Sequence, residues 1–294
     1  MNTRKQCPIC KGETFSPFLI AKDYTVSQEN YNIVSCNKCK FKFTNPIPEE
    51  AKIGEYYKSD EYISHSNTNK GLINKAYQIV RNITLEQKEK LIVDGRNRGK
   101  LLDIGCGTGE FLNHAKEKGW TTEGIEPDES ARKLGQENYG LTISEESRLA
   151  KIENNSIDVI TMWHVLEHVY HLNERVIELK RILKKDGTIY IAVPNLESFD
   201  AKYYKEHWAA FDVPRHLYHF SKTDISNLML QNGMEVKQVL PMKFDSFYVS
   251  MLSEKYKNGK SNLVNAFLTG WKSNQKAKNT MNYSSLIYKI EIQA

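Results

Sequence analysis

The run Leu101-Leu102-Asp103-Ile104-Gly105-Cys106-Gly107-Thr108-Gly109-Glu110-Phe111-Leu112 constrains this chain more than any other stretch. An apolar strand runs into an acidic residue, then alternating glycines, then an amphipathic helix. In open α/β sheets, ligands bind just past the carboxyl ends of the strands. Glycines there let the backbone come within contact distance of a ligand, because no Cβ stands in the way. The spacing is G-x-G-x-G. A dinucleotide fingerprint is G-x-G-x-x-G, and Glu110 stands where its last glycine belongs. The loop therefore fits an adenosine compound without a pyrophosphate.

A second strand-like run, Trp120–Ile125, ends in Glu126-Pro127. Glu126 lies one β-α-β step after Asp103, where a carboxylate accepts hydrogen bonds from both ribose hydroxyls. At this point the chain resembles the class I S-adenosylmethionine-dependent methyltransferases. The matching segments are LDIGCGTGEF, GIEPD, SIDVITMWHVLEHV and RILKKDGTIYIAVPN, in the family's order and spacing. The resemblance implies an α/β fold with a Rossmann-like seven-stranded sheet. It also implies S-adenosylmethionine as methyl donor and S-adenosylhomocysteine as product. Cofactor contacts are expected from Asp103, Gly105, Cys106, Gly107, Gly109, Glu126, Pro127, Trp163 and His164. For the adenine, Glu145, Glu146 and Ser147 compete.

Four cysteines form two C-x-x-C pairs, Cys7/Cys10 and Cys36/Cys39; the fifth, Cys106, is in the glycine loop. Each pair forms a knuckle that aims two thiolates at one point, and two knuckles complete a closed tetrahedral zinc site. So short a segment has little core of its own, and metal binding would supply its folding energy. Residues 1–45 thus read as a zinc ribbon holding structural Zn, with strands near 15–20 and 31–34. A redox role fits poorly without a thioredoxin-like β-α-β context.

Residues 46–98 read as a helical connector or lid, with helices over 49–63 and 70–98 and apolar positions at Ile73, Ala76, Tyr77, Val80 and Ile83. Residues 99–294 read as the methyltransferase domain. Its strands are expected near 101–104, 120–125, 141–143, 157–163, 188–193, 234–240 and 284–292. Helices are expected near 109–118, 128–138 and 165–184, and Ser221-x-x-Asp224 opens another with a capping box. Residues 244–280 form an insertion, partly helical and rich in Lys and Asn.

No apolar run is long enough to span a bilayer, and the start MNTRKQCPIC carries no apolar signal segment. A cytoplasmic location is the expectation. The formal charge is +5, yet residues 46–250 hold 27 basic against 31 acidic residues. The basic excess sits at the two ends, which disfavours a nucleic-acid partner, since that needs a concentrated basic face.

Transfer to an alcohol or phenol requires alignment and a base. His164 and His168 follow the fourth strand of the alternating pattern, and Arg215 and His216 lie in the dense run His207–Phe220; these four are the catalytic candidates. Trp163 offers an aromatic face for a sulfonium or plain sheet packing. Glu167 offers a functional carboxylate or a helix cap. Arg215 holds an anionic substrate group or pairs with an acidic neighbour. His164, His168 and His171 would share one face of an early-starting helix as a metal site. Similarity to ubiquinone-pathway O-methyltransferases through L-E-H-V keeps a divalent metal open.

The expected acceptor is a small molecule, or a lipid-linked or glycan intermediate, methylated on oxygen or carbon. One alternative is an RNA methyltransferase that uses the ribbon for recognition, as ribosomal-RNA guanine methyltransferases do. Another is a non-catalytic cofactor-sensing adaptor. Deoxysugar C-methyltransferases share a four-Cys module but usually carry a further C-terminal domain. The sequence leaves the oligomeric state open.

Overall fold

The computed structural model describes residues 1–57, 72–95, 97–260 and 262–293. The connector residues 58–71, and the side chains expected at Ile73, Ala76 and Tyr77, lie outside the described part.

The chain begins with β1 (Phe15–Lys22), β2 (Asn30–Cys36) and β3 (Lys42–Thr44), an antiparallel sheet. A 3-10 stretch, Glu50–Tyr57, and α1 (Leu72–Val93) lead to the main sheet. There β4 (Lys100–Ile104) is followed by α2 (Glu110–Glu117), β5 (Thr121–Ile125), α3 (Glu129–Tyr139), β6 (Ile143–Ser144) and β7 (Ile157–Trp163). Next come α4 (Leu172–Ile182), β8 (Leu183–Pro194), α5 (Phe199–Tyr204), β9 (Tyr218–His219), α6 (Lys222–Gln231) and β10 (Met234–Met242). The helices α7 (Asp245–Asn258) and α8 (Leu263–Thr280) precede the last strand, β11 (Ser285–Ile292).

The main sheet has seven strands, in the order β10-β11-β8-β7-β4-β5-β6. β4 pairs parallel with β5 and β7, and β7 with β8, while β11 runs antiparallel to β8 and β10. This is the expected α/β Rossmann-like architecture. The central strands read as near-continuous apolar runs because both faces are covered. Leu101, Leu102, Val159 and Ile160 are all fully buried. The capping box at Ser221 and Asp224 forms as expected.

Several elements differ from the sequence reading: the helix expected over 49–63 is a 3-10 stretch, Glu50–Tyr57, in its described part, and the strand expected near 188–193 already begins at Leu183. The helix expected over 165–184 begins only at Leu172, after a 3-10 turn at Leu166–His168. His164 has φ +58° and its N–H bonds Ala192 O at 3.0 Å, so the chain turns sharply off the strand and cannot enter a helix there. The third strand shrinks to Ile143–Ser144, at the sheet edge.

The N-terminal sheet takes its fourth strand from far along the chain: β3 pairs with β9, Phe43 opposite Tyr218 and Lys42 opposite His219. Cys7, Cys36, Phe41 and Phe43 share one buried cluster with Leu166, Leu217, Tyr218 and Phe220. Arg4 Nη2 donates to Tyr170 O and Tyr218 Oη, both at 3.0 Å. The ribbon is thereby built into the loop that follows β8.

Candidate active site

β4 delivers Asp103 to the rim of the sheet, 2% exposed, where its Oδ1 accepts from Thr161 Oγ1 at 2.6 Å. Burial raises its pKa to about 7, against the lowering pull of Thr161 and the Lys88 cation. The three glycines that follow have positive φ but different tasks. A Cβ on Gly105 would stand 2.4 Å from Val165, and one on Gly109 2.4 Å from Leu141, so both allow close packing inside. Gly107 faces open space, with nothing within 4 Å of where its Cβ would be.

Glu126 flanks that opening. Its Oε2 accepts the Gly107 N–H at 2.9 Å and its Oε1 the Asp128 N–H at 2.9 Å. The carboxylate is thus held fast, with lone pairs to spare. Burial raises its pKa, partly offset by those two N–H groups. The Pro127 carbonyl is taken up by Arg132 Nη1 at 2.7 Å, and the Cys106 thiol is pushed up by burial. Among the adenine candidates, Glu146 is engaged by Arg175 and Glu145 by Ser147, at 2.6 Å.

Trp163 ends β7. Its ring meets Phe111 edge-on at 5.4 Å, and Lys88 Nζ sits 4.3 Å from its centroid. Among the described residues its buried Nε1 has no hydrogen-bond partner. The face therefore already receives a cation.

Beyond Trp163 the second half of the site assembles. His164 Nε2 lies 2.9 Å from Asp245 Oδ2 and its Nδ1 3.4 Å from Glu167 Oε1. Burial alone would lower its pKa, but Asp245, then Glu167, raise it to about 10, so the ring is an imidazolium. Glu167 is fully buried. Burial favours its neutral form, but the surrounding histidines outweigh that and keep its pKa low. Among the described residues Oε1 faces the His164 ring at 3.4 Å, and Oε2 has no hydrogen-bond donor.

His168 and His216 lie edge to face, centroids 4.6 Å apart. His168 Nδ1 is 3.1 Å from Arg215 O and 2.8 Å from the Tyr57 hydroxyl. His216 Nδ1 is 2.9 Å from Ala210 O. A carbonyl only accepts, so both Nδ1 atoms donate, and in the neutral rings both Nε2 atoms keep their lone pairs. Burial, then the neighbouring His216, lowers the His168 pKa to about 4.

Arg215 is 4% exposed. Its guanidinium donates to both oxygens of Asp212, with Nε–Oδ2 at 3.0 Å, and to Tyr56 O at 2.8 Å. Asp23 Oδ1 stands 3.6 Å away. The acidic-neighbour alternative for Arg215 is the arrangement present.

Among the described residues two clusters have metal-ligand geometry. The thiols of Cys7, Cys10, Cys36 and Cys39 lie within 4.8 Å of one another, with Cys7–Cys39 at 3.6 Å and Cys10–Cys36 at 3.5 Å. A tetrahedron with Zn–S of about 2.3 Å has edges of about 3.8 Å, so the donor set fits zinc. The second cluster joins Glu167, His168 and His216, also within 4.8 Å. It differs from the expected His164–His168–His171 face. His171 turns outward to Glu50, and the late start of α4 removes the shared helical face. Two imidazoles held by carbonyls beside a buried carboxylate make a donor set that suits a divalent cation.

The sequence reading missed Lys88, Tyr57 and Asp245 altogether, while Asp212 lay inside the run 207–220 as the unnamed acidic neighbour of Arg215. Those missed each come from a separate element, and no local motif marks them. Glu167 was visible, but only as one of two readings.

The family model described as "Methyltransferase domain" matches residues 76–239, more than half of the chain. The ubiquinone biosynthesis O-methyltransferase of Actinobacillus pleuropneumoniae serotype 5b is 28% identical over 173 residues, covering 53% of this chain and 72% of that protein. Its namesake in Rickettsia typhi is 24% identical over 207 residues, covering 64% and 82%. Among solved structures, the magnesium protoporphyrin IX methyltransferase of Synechocystis, with bound S-adenosylhomocysteine, superposes with a TM-score of 0.55 at 14% identity, over 84% of this chain and all of that one. The geranyl diphosphate C-methyltransferase of Streptomyces coelicolor gives 0.52 at 12% identity, over 77% and 86%. At such identities the superpositions speak to the fold.

Proposed function

Because this chain belongs to the methyltransferase-domain family, we infer that it transfers a methyl group from S-adenosylmethionine to a small-molecule acceptor, on oxygen or on an acidic carbon. Lipid-linked and glycan intermediates fall within the acceptors that this chemistry serves. S-adenosylmethionine, when bound, supplies an electrophilic methyl on a sulfonium; the protein aligns the acceptor, shields the reaction from water and takes the acceptor's proton.

The cradle fits that donor. Gly107 leaves open backbone, and Glu126 has lone pairs free for ribose hydroxyls beyond the two N–H groups it already binds. Asp103 provides a carboxylate for an ammonium, whose charge would bring its raised pKa down again. Trp163 offers the face that now receives Lys88.

The observation that carries the acceptor chemistry is the convergence of Glu167, His168 and His216 one turn past β7. Val165, between His164 and Glu167, packs on Gly105, so this cluster borders the glycine loop. His168 presents its Nε2 lone pair, and His216 Nε2 faces Asp212 Oδ2 at 3.8 Å and Glu167 Oε1 at 4.0 Å, carboxylates that can receive the proton's charge; we assign the base role to this pair. His164 is already protonated, so it orients Glu167 and Asp245 instead of accepting a proton. Arg215, paired with Asp212, fixes the loop that carries His216. The same trio has the donors to hold a divalent cation, which would lower the pKa of an acceptor hydroxyl. The four cysteines hold a structural zinc in this reading.

The test is methyl-labelled S-adenosylmethionine with the protein and a cell extract separated into small-molecule, lipid and glycan, RNA and protein fractions. Label in either of the first two is the expected result. Label confined to RNA or protein overturns the acceptor assignment, and no transfer at all overturns the reading as a catalyst.

A further inference from the structure

The helix α8 is built inside out. Its small residues Ala266, Thr269, Ser273 and Ala277 are at most 4% exposed and face the protein. Gly270 sits so close to α7 that a Cβ would lie 2.9 Å from the Phe247 ring. The large apolar residues point the other way: Leu263 is 58% exposed, Val264 72%, Phe267 60%, Leu268 45% and Trp271 48%. They recur at i, i+1, i+4, i+5 and i+8, which on a helix makes one continuous stripe. A single exposed leucine needs no explanation, but a contiguous stripe of this kind marks an interaction surface.

The charge around the stripe selects the partner. From residue 255 to 280 the chain carries six lysines and no Asp or Glu. Lys255, Lys257 and Lys260 precede the stripe, Lys272 borders it, and Lys278 continues it seven residues past Trp271. The acid just before them, Glu254, is 1% exposed and taken up by Tyr204 and Asn265, so it does not neutralise this face. Pairing with a second copy would bring like charges together. An apolar stripe with Trp and Phe, ringed by lysines, matches the interface of an anionic bilayer, where the rings reach the acyl boundary and the ammonium groups meet lipid phosphates.

We propose that α8 docks this protein on the surface of an anionic membrane. Among the described residues no helix is long and apolar enough to cross one, so the contact is peripheral. Each lysine near an anionic surface strengthens binding about fivefold.

The experiment is co-sedimentation of the full chain with vesicles of phosphatidylcholine, with or without phosphatidylglycerol, read together with tryptophan emission. The expected result is pelleting with the phosphatidylglycerol vesicles, a blue shift on binding, and weakening by salt. The double variant Phe267→Asp/Trp271→Asp should partition about tenfold less or worse while S-adenosylmethionine binding is unchanged, which excludes misfolding. No binding, equal binding to both vesicle types, or undiminished binding of the variant overturns the proposal. So does a wild-type dimer that the variant dissolves, since the stripe would then cover a second copy. Donor binding and methyl transfer are read separately, so a failure here leaves the catalytic assignment standing.

Discussion

The two halves of the active site are assembled in opposite ways. The donor half is local: Asp103, the glycines and Glu126 lie within one β-α-β unit, and each is positioned by its own strand end or turn. The acceptor half is collected from afar. His164, Glu167 and His168 follow β7, His216 hangs on a loop clamped to the N-terminal sheet, Asp245 starts an inserted helix, and Tyr57 comes from the connector. The first half can bind its ligand with little help. The second exists only while the ribbon, the insertion and the sheet are all in place.

The sharpest way to break this comparison is a pair of substitutions. Glu126→Ala removes the carboxylate we assign to the ribose, with hydrogen bonds to a charged group worth about 1.5–3 kcal/mol each, so donor affinity should fall by about two orders of magnitude or more. His216→Ala removes a residue we assign as proton acceptor, and kcat should fall by about 10²–10⁴ with donor affinity unchanged. Calorimetric titration of S-adenosylmethionine and single-turnover methyl transfer separate the two. Equal loss of affinity in both variants would show that the halves are not independent.

A smaller effect tests the clamp. Thr44 N–H donates to Leu217 O at 3.0 Å, and Thr44 Oγ1 to His216 O at 2.8 Å, so β3 holds the backbone at His216 and at the residue after it. If zinc supplies the folding energy of the ribbon, its removal by chelation, or Cys36→Ser, loosens this loop. Turnover should drop about tenfold or more while donor binding persists. Full activity after complete zinc loss would mean that apolar packing alone, Phe41 and Phe43 against Tyr218 and Phe220, holds the loop.

The same contrast explains what was legible in the sequence. The glycine loop, Glu126 and the strand-helix alternation are period and spacing signals, set by the chain within about one turn of itself, and the seven-stranded sheet follows from them. His168 and His216 were visible as chemistry-bearing types, but their meeting was not, because it depends on β9 joining a sheet some 170 residues earlier in the chain. The face of His164, His168 and His171, which depends on an early helix start, does not form for one reason: the positive φ at His164 delays the helix, and a face drawn on an ideal helix places His171 where the chain does not put it. Asp245 and Lys88 are unremarkable acids and bases of surface-like helices. Only the tertiary structure turns one toward His164 and the other over Trp163.

The finest test concerns that pairing of Asp245 with His164, which links the insertion to the strand end. His164 is raised from 6.5 to about 10 in the folded protein. Its contribution to stability is therefore fully present below pH 6.5 and declines as pH rises through 10. Asp245 is shifted the other way, since burial is outweighed by His164, so its contribution holds at neutral pH and is lost only in acid. Asp245→Asn leaves Glu167 as the remaining acid beside the ring, so the His164 pKa should fall and the decline should begin from a lower plateau with a shallower slope. Thermal unfolding at pH 6 and pH 9 reads this directly: the wild-type melting temperature should drop more between the two than that of the variant. Parallel drops would show that Asp245 does not hold the His164 proton. His164 would then titrate nearer neutrality and rejoin His168 and His216 as a possible base, and the acceptor half would depend on the insertion for packing only.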